Sequence, residues 1–71
     1  MEKATARQVS VLLEGVIANL SEALNVTERS LPPEEYDAFK REIGLAIGRI
    51  SHAVLDPIYE QFPDLAPRGV L

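Results

Sequence analysis

The Pro32-Pro33 pair divides the chain into two stretches, and in each of them apolar residues recur every three or four positions. That period places side chains on one face of an α-helix. The pair itself cannot continue a regular helix, because proline lacks an N–H donor and drives the residue before it out of helical geometry. Two long amphipathic helices with one short connection fold back on each other as an antiparallel hairpin. No alternating strand pattern, internal repeat or low-complexity segment competes with this reading.

The first stretch predicts a helix over residues 3–24. Val9, Leu13, Val16, Leu20 and Leu24 form its stripe, widened by Ala6, Leu12, Ile17 and Ala23. Glu14, Ser21 and Glu22 lie on the other side, where Val11 and Ala18 interrupt the polar face. Asn25 is the expected left-handed stop, with Val26 folding back on Leu20. The connection then spans residues 25–32. Pro33 suits the first helical position, Glu34 and Glu35 complement the dipole of the first turn, and Leu31 and Tyr36 occupy the two positions of a hydrophobic staple.

The second helix is expected over residues 33–55, with Tyr36, Phe39, Ile43, Ile47, Ile50 and Val54 as its stripe. Asp37 and Arg41 form an i,i+4 pair outside it. Asp56-Pro57 interrupts the pattern, so the sequence predicts a stop near Leu55 and a short helix over 57–62 capped by Asp56. A kinked continuation is the alternative, since Ile58 stays in phase with Val54. Residues 63–71 contain Pro63 and Pro67 and read as a tail, pinned to the apolar face through Leu65, Val70 and Leu71.

A hairpin has one helix–helix seam, too little to cover stripes this wide. For a chain of 7.8 kDa, burial of about 7,000 Å² would contribute on the order of 100 kcal/mol. Ordering 71 residues costs about 105 kcal/mol. The two nearly cancel, and with no cysteine in the sequence no disulfide makes up the difference. The expected architecture is therefore all-α: a two-helix hairpin with a short C-terminal helix and tail, dimerising into a four-helix bundle.

Chemistry is sparse. His52, the only histidine, could be oriented by Asp56, but no nucleophile is placed beside it and the site reads as a solvated pair near a helix end. A di-iron bundle needs Glu-x-x-His, and Arg49 stands where that Glu would be. Gly44-Leu45-Ala46-Ile47-Gly48 lacks the Lys-Ser/Thr of a phosphate loop. The expectation is no catalytic residue, no metal and no cofactor. A net charge of −4 disfavours nucleic acid as a partner. The longest apolar run, Ile43–Gly48, falls far short of the ~18 residues that cross a bilayer, and no targeting signal precedes it. The sequence thus points to a cytoplasmic, non-enzymatic interaction module that binds itself and, through leftover apolar surface, another protein.

The small residues Gly44, Gly48 and Ser51 form one edge of the second helix, continued by the apolar bulk of Leu55, Tyr59 and Phe62, with Leu45 beside it. This flank is the candidate interface. The rival reading is a small-ligand or catalytic bundle with a site between helices lined by Lys40, Arg41 and Arg49; those residues would then face a cavity.

Overall fold

The structure, a computed structural model, describes residues 1–67. Two helical arms form a hairpin. The first is α1, Lys3–Ser30. The second begins as α2, Pro33–Arg49, passes through a π-helical segment at Ile50–Leu55 and continues as α3, Asp56–Gln61. A 3₁₀ turn, Pro63–Leu65, follows. No strand occurs among the described residues.

α1 overruns its expected end at Leu24, and the expected connection over residues 25–32 shrinks to Leu31 and Pro32. The polar side chains near its end are satisfied without leaving the helix. Thr27 Oγ1 donates to the carbonyls of Ala23 and Leu24 at 2.8 and 3.2 Å. Ser30 Oγ donates to Val26 O at 3.1 Å, and Asn25 Nδ2 to Glu22 Oε2 at 3.3 Å. Asn25 is therefore an ordinary helical residue, and Val26 stands 57% exposed instead of folding back. The stop comes from Pro32, which holds Leu31 at φ −98°, ψ 147°, the extended geometry imposed on a residue before proline. Pro33 opens α2 with Glu34 and Glu35 in its first turn, as the sequence predicts.

The second arm does not break at Asp56. Arg49, Leu55 and Asp56 all keep right-handed helical dihedrals, and Asp56 makes no side-chain cap. The expected short helix over 57–62 is present as α3, Asp56–Gln61, but the expected stop at Leu55 and the Asp56 cap are corrected, since the arm runs into α3 without a break. Pro57 has no N–H and its ring crowds the turn before it. A π-helical turn relieves this by inserting one extra residue: Asp56 N–H bonds back to Ser51 O, five residues earlier. The insertion also advances the phase of the apolar stripe. Leu55 is buried at 2% exposure, whereas Val54, which a regular helix would turn inward, is 42% exposed.

The tightest packing lies at the open end of the hairpin, away from the Leu31-Pro32 connection. Ala6 and Ser10 on α1, with Leu55 and Ile58 on the second arm, are the buried ones among the described residues. Ser10 satisfies its hydroxyl by donating to Arg7 O at 3.0 Å. Toward the connection the stripe is only half-buried, including Leu20, Leu24, Tyr36, Phe39 and Ile43. Of the expected tail, Leu65 is half-buried, while Val70 and Leu71 lie outside the described residues. The hairpin measures 45 × 21 × 16 Å, with a radius of gyration of 14.4 Å; a compact chain of this length has about 11 Å. It is a plate one helix thick.

Candidate interaction surface

Two polar contacts clasp the arms at the open end. Tyr59 Oη donates to Glu14 Oε1 at 2.7 Å, joining α3 to the middle of α1. Burial first, then this hydrogen bond, then the negative charges of Glu14 and Asp56 push the Tyr59 phenol up to about 12. Lys3 Nζ pairs with Asp64 Oδ2 beyond α3, and that hydrogen bond is the main reason the Asp64 carboxyl sits below its ordinary range. Glu14 and Tyr59 also border a cleft of about 290 Å³ with Ile17, Ser51, Leu55, Asp56 and Pro67. Neither contact was legible in the sequence, since the partners are far apart along the chain.

His52 Nδ1 lies 2.9 Å from Asp56 Oδ2, the oriented pair the i,i+4 spacing allows, but both side chains are mostly exposed, at 79% and 52%. No group of three or more His, Cys, Asp or Glu gathers among the described residues in a way that could hold a metal ion. Lys40, Arg41 and Arg49 all stand in solvent. Arg49 borders an open groove on the outside of the second arm with Gly44, Leu45, Gly48, His52 and Ala53, so the three charges line no space between the helices.

The flank singled out in the sequence is split by the π-helical turn. Gly44 and Leu45 are exposed, Gly48, Ser51, Tyr59 and Phe62 are half-buried, and Leu55 belongs to the core. Leu55 therefore cannot serve as exposed interface bulk, because the phase shift rotates it inward. A Cβ added at Gly44 or Gly48 would meet nothing within 4 Å. Within one chain the glycine edge packs against nothing.

The larger apolar surface is on α1, where Val11, Leu12 and Val16 are 65%, 70% and 41% exposed. Val11 and Leu12 border a further open groove with Arg7 and Gln8. The interruption of the polar face by Val11 and Ala18 was the sequence signal for it. α1 also contains an 18-residue stretch of mean hydropathy 1.3, of which 6% is buried. By length and composition alone such a helix could cross a membrane, a test that core helices and N-terminal signal sequences pass as well.

Compared with known protein families, curated proteins and solved structures, the chain matches none.

Proposed function

We propose that the protein is a small non-enzymatic interaction module that works as a homodimer, two hairpins combining into a four-helix bundle. One observation carries this reading: among the described residues the single seam buries only Ala6, Leu55 and Ile58 of the apolar ones, while Val11, Leu12, Val16, Leu45 and Val54 are 41–70% exposed. The area agrees. The chain exposes 5307 Å², whereas a compact monomer of its mass exposes about 4,400 Å². The surplus of about 900 Å² matches the ~800 Å² that each partner contributes to a standard protein interface. A second copy supplies apolar surface of the same extent in a symmetric arrangement, the commonest form of assembly.

A catalytic or ligand-binding bundle would need charged groups turned inward, and Lys40, Arg41 and Arg49 point to water. Light scattering coupled to size exclusion tests the reading directly. Twice the 7.8 kDa chain mass is expected at micromolar concentration; the single chain mass would overturn it.

A further inference from the structure

The outer face of α1 carries a strip spaced at three and four residues: Ala4, Arg7, Val11, Gly15, Ala18, Glu22 and Asn25, every one exposed. Leu12 lies at its edge and Gln8 beside Arg7, the two bordering one open groove with Arg7 and Val11. Between Arg7 and Glu22 the strip holds no charge, and the one acid in that interval, Glu14, is half-buried and held by Tyr59. The strip is thus an apolar centre bounded by one cation and one anion. Neither belongs to the two ion pairs found among the described residues, Lys3–Asp64 and His52–Asp56.

We propose that the second copy docks on this outer face of α1, antiparallel to it, with Arg7 of each copy against Glu22 of the other. The proposal rests on the homodimeric reading above and names the surface that carries it. Charge decides the orientation. A parallel, in-register pair would set Arg7 against Arg7 and Glu22 against Glu22. Antiparallel pairing about a two-fold axis between Glu14 and Gly15 turns both repulsions into two equivalent attractions, and helix dipoles opposed in direction add to them. The same axis sets Val11 opposite Ala18 and Ala4 opposite Asn25, large or polar against small. Gly15, where a Cβ would meet nothing within 4 Å, falls beside the axis and leaves room for the other backbone. α1 and its copy then form the central pair of a single layer of four helices, with the second arms outside them, rather than a closed bundle.

Sedimentation equilibrium on the full chain tests this, with helicity by circular dichroism as the control for folding. The wild type sediments at twice the chain mass. Arg7→Glu, which places an acid near a helix N-terminus and so does not oppose the helix itself, raises the dimer dissociation constant about ten-fold or more. Arg7→Glu combined with Glu22→Arg returns it to within about three-fold of wild type. Val11→Glu weakens the dimer as Arg7→Glu does. A wild-type dimer indifferent to both Arg7→Glu and Val11→Glu overturns this surface and leaves self-association standing. A wild type at single-chain mass throughout overturns both; if that monomer floats with phosphatidylcholine vesicles, the outer face of α1 belongs to lipid.

Discussion

Replacing Tyr59 with Phe removes one oxygen and keeps the ring. The lost hydroxyl donates to Glu14 Oε1 at 2.7 Å and joins α3 to α1 across the open end. A hydrogen bond to a charged acceptor contributes about 1.5–3 kcal/mol when fully buried. Both residues here are half-buried, so water rehydrates Glu14 in the variant and the expected loss is nearer 1 kcal/mol. For a domain of this size that lowers the melting temperature by about 4–8 °C. The pH dependence gives a sharper test. The phenol is raised from 10.0 to about 12 in the folded chain, so its contribution is complete below pH 10 and is lost as the pH rises from there through the folded value. A shift of that size corresponds to at most about 2.7 kcal/mol, and about half of it is lost by pH 11. Solvent screening at a half-buried site brings the loss at pH 11 to about 1 kcal/mol. Urea denaturation of wild type and Tyr59→Phe, at one protein concentration and at pH 8 and pH 11, reads both effects. The gap between the proteins should be about 1 kcal/mol at pH 8 and nearly closed at pH 11. Equal stability at pH 8, or a gap that persists at pH 11, refutes the clasp.

Asp56→Ala should change stability by less than about 0.5 kcal/mol, because Asp56 caps nothing and its exposed pair with His52 is of the kind that contributes little; a loss of 1 kcal/mol or more in chemical denaturation would contradict the continuous second arm. Gly44→Ala should stabilise by up to about 1 kcal/mol through helix propensity, since the added methyl meets open space. Gly48→Ala should do the same, and neither should alter the solution mass. A drop in melting temperature for either would show that something packs on that edge.

The connection was legible because Pro32-Pro33 acts through local sterics alone, and local sterics are written in neighbouring residues. Asn25 misled for a related reason: its tolerance of left-handed geometry is a propensity, and side-chain hydrogen bonds at Asn25, Thr27 and Ser30 keep that turn helical. The second arm was legible up to Ile50. Beyond it the fate of Pro57 depended on whether the chain breaks or inserts a residue, and Ile58 is in phase with the core either way. Only the structure shows that Leu55 and not Val54 faces inward. The interface residues followed from that phase, so Leu55 was misplaced with it. The clasp between Glu14 and Tyr59 joins residues 45 apart, a distance over which periodicity carries no information.

If the protein is a homodimer, one hairpin is incomplete without another. Thermal unfolding followed by circular dichroism over a hundred-fold range of protein concentration tests it most directly, because association that stabilises the folded state makes the midpoint depend on concentration. An obligate dimer should show a single cooperative transition whose midpoint rises steadily with concentration. A midpoint that stays constant across the whole range would show that the 7.8 kDa chain folds alone, and would contradict it.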